Sequence, residues 1–136
     1  MIQRIQTFWM FIAAVAVFLT LQFSFFSGTL ISDNSFYSFR AKDNFILMVL
    51  TSALGTAILI NIFLYKHRSL QFKICVIAIL AECLIIFLYL KQLKQFSNWK
   101  YDLWAIFHLV IFIALILAMR GIYKDNKLIR DSNRLR

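Results

Sequence analysis

Four long apolar runs constrain this chain more than any other feature: Phe8 to Phe26, Phe45 to Tyr65, Ile74 to Leu90 and Leu103 to Met119. Each approaches the ~20 residues a helix needs to cross the hydrocarbon core of a bilayer. Backbone amides find no water there, so each spanning segment must satisfy them internally as a helix or within a closed barrel. Barrel strands are about half this length and alternate polar with apolar residues. No such alternation runs through these segments, so helices are predicted. The third and fourth runs are short, but Lys73 and Lys91 flank one, and Trp99 and Arg120 flank the other. Long cationic side chains reach back to the interface and aromatic rings anchor there, so short runs with such flanks still span.

Size excludes the alternative of a soluble fold. With 136 residues, 62% of them apolar and only 15% charged, a small domain would leave too much apolar surface facing water. The first run is longer than the apolar core of a signal peptide, only Arg4 carries a side-chain charge before it, and no A-x-A pattern lies near Ser27 to Thr29. It is therefore expected to be a retained helix. Proline is absent and glycine occurs three times, which leaves no glycine-rich loop to cradle a phosphate.

The net charge of +9 raises nucleic acid as a partner, but the cations sit at the ends of apolar runs and in the tail, where they meet lipid headgroups and set orientation. No nucleic-acid partner is expected. With four spans, the N-terminus, the second connection and the tail share one side. They hold Arg4; Lys66, Arg68 and Lys73; and Arg120, Lys124, Lys127, Arg130, Arg134 and Arg136. The opposite side holds Arg40, Lys42, Lys91, Lys94 and Lys100. Ten against five predicts both termini in the cytoplasm.

Two segments lie outside the spans. The connection of residues 27–44 carries a turn-prone Ser32-Asp33-Asn34-Ser35 and an aromatic Phe36-Tyr37-Ser38-Phe39, read as a short hairpin or an aromatic loop on the membrane surface. The tail, residues 120–136, is a basic juxtamembrane segment whose six cations, Arg120, Lys124, Lys127, Arg130, Arg134 and Arg136, serve as a topology anchor or contact anionic lipid or a partner. Ile122, Leu128 and Ile129 would give it a weak amphipathic stripe if it is helical.

Inside the spans the costly residue is Glu82, eight residues from either end of the third run. A carboxylate at mid-bilayer costs about 3 kcal/mol on insertion scales, so it needs a partner or a proton. At helical spacing it shares a face with Cys75, Ala78, Ala81, Ile85 and Tyr89, a face whose small residues invite another helix. His108, five residues into the fourth run, would lie within roughly 4 to 5 Å of Glu82 in depth if the last two spans form an antiparallel hairpin. The pair reads either as a hydrogen bond between helices or as a proton-active site. Asn61 and Gln22 read as interhelical hydrogen bonds, and Ser52, Gly55 and Thr56 as a small-residue contact. Cys75 and Cys83 are eight residues apart, ~12 Å along a helix, too far for a disulfide; both are expected to be buried thiols. No H-E-x-x-H or C-x-x-C spacing occurs, so no metal, cofactor or catalytic residue is predicted.

The opening Met1-Ile2-Gln3-Arg4-Ile5-Gln6-Thr7 and the closing Arg120-Gly121-Ile122-Tyr123-Lys124-Asp125, Lys127-Leu128-Ile129-Arg130 and Asn133-Arg134-Leu135-Arg136 resemble a family of small four-span inner-membrane proteins from Bacteroidota, a domain of unknown function. The resemblance implies a bacterial cytoplasmic membrane and brings no catalytic residues with it. The expectation is an all-α membrane protein, one four-helix transmembrane domain over residues 1–136 with both termini inside. Its partners would be lipid, including anionic headgroups, and a membrane protein or another copy of itself. A non-catalytic subunit or assembly factor is the leading function, and a proton-coupled carrier or channel component using Glu82 and His108 the alternative.

Overall fold

The computed structural model describes residues 2–136; Met1 and the side chains of Ile2, Gln3 and Arg4, including the Arg4 charge counted above, lie outside the described residues. The chain is mostly helical, with α1 (Ile2–Gln22), α2 (Phe45–Phe63), α3 (Arg68–Gln92) and α4 (Ile106–Arg134). All four contain stretches long and apolar enough to cross a membrane. They pack in chain order around a bundle that closes where α4 meets α1, the most extensive helix contact in the molecule.

Each helix is apolar on nearly every side, so apolar periodicity does not mark its inner face. Spacing of the buried residues does. α1 buries Gln6, Met10, Ala13, Val17 and Thr20, and α2 buries Leu47, Thr51, Leu54, Ile58 and Asn61. α3 buries Gln71, Cys75, Ala78, Glu82, Ile85 and Tyr89, and α4 buries His108, Ile111, Leu115, Ala118, Ile122 and Asp125. All four stripes alternate steps of three and four residues, the seam of left-handed helix packing. Among the described residues, the buried polar and charged side chains lie on these seams. The outer faces carry Phe8, Phe11, Ile60, Phe63, Leu80 and Phe87, all more than half exposed.

The all-α expectation needs a correction. A three-stranded antiparallel sheet of order β2-β1-β3 covers one end of the bundle, built from β1 (Ser24–Leu30), β2 (Phe36–Arg40) and β3 (Phe96–Tyr101). Residues 23–26, assigned above to the first apolar run, lie beyond the end of α1 at Gln22: Phe23 is a bend, and Ser24, Phe25 and Phe26 open β1. Their apolar side chains are still needed, but under the sheet: Phe25, Phe26, Phe39 and Phe96 are buried there. The β1–β2 hairpin closes through Leu30 N–H to the Ser35 carbonyl, 3.0 Å, and Asn34 N–H to the Leu30 carbonyl, 2.9 Å, with Asn34 at φ 53°. Positive φ is tolerated best by asparagine among side-chain-bearing residues. Beyond β2, the Arg40 amide donates to Asp43 at 2.7 Å. Desolvation, then a hydrogen bond to Asp43, pushes the Tyr37 phenol above its ordinary value.

Asp102 ties the connections together. It accepts from the hydroxyls of Ser24 and, at 2.9 Å, of Ser27. Its own amide donates to the Phe25 carbonyl at 3.1 Å. The 23–44 and 93–105 connections therefore form one structure at one end of the bundle.

Gly28 lies against β3 with no room for a side chain. A Cβ there would lie 2.9 Å from Trp99 Cα and 3.2 Å from the Ser97 carbonyl oxygen, so alanine forces the strands apart. Gly28→Ala is expected to cost about 1–3 kcal/mol, as overpacking does. Thermal unfolding in detergent, followed by tryptophan emission, should show a lower midpoint; an unchanged midpoint would contradict this close approach.

Candidate functional site

Glu82 and His108 meet directly. α3 and α4 are antiparallel neighbours, and their seams place His108 Nδ1 2.5 Å from Glu82 Oε1, with the two residues 4% and 1% exposed. At that distance one proton lies between the two atoms, held by the imidazole or by the carboxyl group. The face predicted for Glu82 is the buried one, except that Ala81 is only half-buried.

The pair has an aromatic lid. α1 ends at Gln22, and β1 carries Phe25 back over the bundle, where its ring stacks on Tyr89 at 4.4 Å and meets the His108 ring edge-on at 5.0 Å. Tyr89, one heptad beyond Glu82 on the same seam, meets His108 edge-on at 5.4 Å. Phe39 of β2 packs against Tyr89 from the sheet. The Tyr89 hydroxyl is buried without a hydrogen-bond partner among the described residues. The sheet thus closes the end of the bundle nearest the pair. The surface cavities lie elsewhere, for instance a ~390 Å³ apolar groove between α2 and α3 floored by Ala53, Ala57, Ala78 and Ala81.

The opposite end holds a second polar group. The Asn61 side-chain amide donates to the Gln71 carbonyl, and the Gln71 amide donates to the Asn61 carbonyl, each at 3.2 Å. This reciprocal pair locks the turn between α2 and α3. The Asn61 carbonyl, in the last turn of α2, accepts from the Leu64 amide at 3.2 Å as well as from the Gln71 side chain. Asn61 also lies 3.2 Å from Cys75 Sγ and 3.6 Å from Met10 Sδ. Arg68 reaches Asp125 at 3.9 Å, and Gly121 leaves room for Gln6, whose Cγ would be 2.5 Å from an added Cβ. Gln71, Thr51, Gln6 and Asp125 were not singled out in the sequence. Alternating steps of three and four residues from Glu82, Asn61 and His108 reach Gln71, Thr51 and Asp125 and were the available signal for these three; Gln6, on α1, had no such reference residue.

Other candidate residues are placed variously. Gly55 is buried and faces the Phe18 ring, 2.8 Å from an added Cβ, so it admits α1. Ser52 and Thr56 turn inward on their own helix, donating to the Met48 carbonyl at 2.7 Å and to the Ser52 and Ala53 carbonyls at 3.1 and 2.9 Å. Such back-bonding satisfies a hydroxyl where no partner helix offers an acceptor. Gln22 is exposed at the last residue of α1 rather than set between helices. Ala78 is buried. Cys75 is buried but Cys83 is exposed, contrary to the expectation of two buried thiols; both are free. In the tail, Arg120, Lys124, Lys127, Arg130, Arg134 and Arg136 are all exposed. Through Arg134 the tail is no separate segment, because α4 continues unbroken through it.

A family model described as a domain of unknown function (DUF4293) matches residues 2–135. No curated protein and no solved structure matches.

Proposed function

We propose, for a chain that belongs to the DUF4293 family, a non-catalytic role in the bacterial cytoplasmic membrane, as a subunit or assembly factor with four spans and both termini inside. The spanning reading is supported by four long apolar helices of which only 28% to 39% is buried, leaving apolar surface that lipid would cover. Its direction rests on ten lysines and arginines against five. Of the five, Arg40 and Lys100 lie in the sheet, Lys42 and Lys94 in the short helices beside it and Lys91 in the last turn of α3.

The observation that carries the non-catalytic reading is the closure of the Glu82–His108 pair. A proton pathway needs its titrating groups to face water or a cavity on each side in turn. Here both are sealed within the bundle, and a side chain that bridges two spans in this way acts as a packing contact. Partners would then meet the outer faces, the sheet or the α4 extension.

Purification of the tagged full-length chain in mild detergent, with identification of what accompanies it, tests this reading. A reproducible membrane-protein partner is expected. A lone species whose reconstituted vesicles conduct protons, with conduction lost in Glu82→Gln, would overturn it in favour of the carrier.

A further inference from the structure

The turn between α2 and α3, residues 64–67, carries more than a connection. Tyr65, Lys66, His67, Arg68, Ser69 and Leu70 form one wall of a groove of ~680 Å³, and Asn126 and Ile129 of α4 form the other. The second wall exists because α4 runs on for 29 residues, about 43 Å at 1.5 Å per residue, against a hydrocarbon core of about 30 Å. The volume falls within the ~300–1,000 Å³ typical of small-ligand sites.

We infer that this groove binds the phosphate headgroup of one anionic phospholipid of the inner leaflet. The inference rests on the membrane reading above, which places the turn at headgroup level: Phe63 and Leu70, on either side, are exposed apolar residues, whereas residues 65–69 are polar or amphipathic. Lys66, His67 and Arg68 line the groove together. The only ion pair involving them among the described residues takes Arg68 to Asp125 at 3.9 Å, which leaves Lys66 without a carboxylate partner there; its Nζ lies 6.0 Å from the Tyr65 ring centroid. The first turn of α3 opens at the same place, and His67 gives it no side-chain cap. Its leading N–H groups lack intrahelical partners and favour an anion. Tyr65, Leu70 and Ile129 supply the apolar flank that a glycerol backbone and acyl chains need and a free anion does not. Lys127 and Arg130 line a neighbouring cavity that shares Asn126, extending the positive field.

Native mass spectrometry of the full-length chain in a zwitterionic detergent tests this with phosphatidylglycerol, phosphatidylcholine and inorganic phosphate as separate probes. Phosphatidylglycerol should be retained at one per chain in preference to phosphatidylcholine. Lys66→Gln should weaken it about fivefold, the effect of one surface cation on anionic lipid, whereas Lys94→Gln at the sheet end should leave it unchanged. Unaltered retention in Lys66→Gln, equal loss in Lys94→Gln, or displacement of the lipid by millimolar inorganic phosphate would each overturn the assignment. A photoactivatable phosphatidylglycerol provides a readout without substitution: labelled residues should fall within 65–70 and 126–129, and labelling confined elsewhere contradicts the site. Micelle binding needs no particular orientation, so its failure is distinct from a failure of the topology.

Discussion

Replacing His108 with alanine is expected to destabilise the bundle by about 3–5 kcal/mol, because it leaves the buried Glu82 carboxyl without its hydrogen-bond partner and a cavity where the imidazole packed. The bond itself is a small part of that. Hydrogen bonds between membrane helices average about 0.6 kcal/mol when apportioned by double-mutant cycles, whereas Glu82, 1% exposed, would be left facing an apolar interior. The double replacement Glu82→Leu with His108→Leu should recover most of the loss, since replacing both partners of a buried hydrogen bond by apolar groups of similar shape can be nearly neutral or stabilising. Unfolding of the parent chain, Glu82→Leu, His108→Leu and the double variant in mixed micelles measures this directly. Single and double variants that lose stability additively would show that the two side chains are not coupled.

Phe25→Ala should be nearly as damaging and should act on the same site from above. The ring is 7% exposed and stacks on Tyr89 while meeting His108 edge-on, so its removal is expected to cost about 3–5 kcal/mol as a core aromatic truncation. It should also admit water to the pair. The chain has two histidines, and they make an internal control: His67 is exposed at the turn whereas His108 is buried. Treatment with diethyl pyrocarbonate should modify only His67 in the parent chain and both histidines in Phe25→Ala. Equal modification of His108 in the two proteins would contradict the lid.

The helices were legible because their signal is compositional: a run such as Phe45 to Tyr65 is long and apolar enough to read as a spanning helix with no need of periodicity. The inner face of α3 was legible from one residue. Glu82 had to face protein, and steps of three and four then assigned Cys75, Ala78, Ile85 and Tyr89 to the same side. In α1 and α4 the apolar residues on both faces are interchangeable to the eye, and only the sparse polar residues distinguish them. The sheet was hidden for another reason. β1 and β3 pair Phe26 with Tyr101 and Ser27 with Lys100, contacts whose sequence separation leaves no local trace, and Phe23 to Phe26 is as apolar as the helix before it. The short run Phe96–Tyr101 becomes a strand only because β1 is beside it. The extension of α4 was obscured by its charge: residues 120–134 look like a solvated tail, yet Ile122 and Asp125 continue the seam and hold the helix to α1 and α3.

The spanning topology is the claim on which the rest depends, and cysteine accessibility in intact cells tests it most directly. Asp33→Cys and Gln95→Cys sample the two connections joined by the sheet, and Ser69→Cys and Ser132→Cys the opposite end, all at exposed positions; the unsubstituted chain, with Cys75 and Cys83 inside the helices, serves as the blank. A membrane-impermeant maleimide should label positions 33 and 95 in intact cells and all four positions after permeabilisation. Labelling of 69 and 132 alone would reverse the orientation, and labelling of only one of 33 and 95 would contradict the four-span bundle itself.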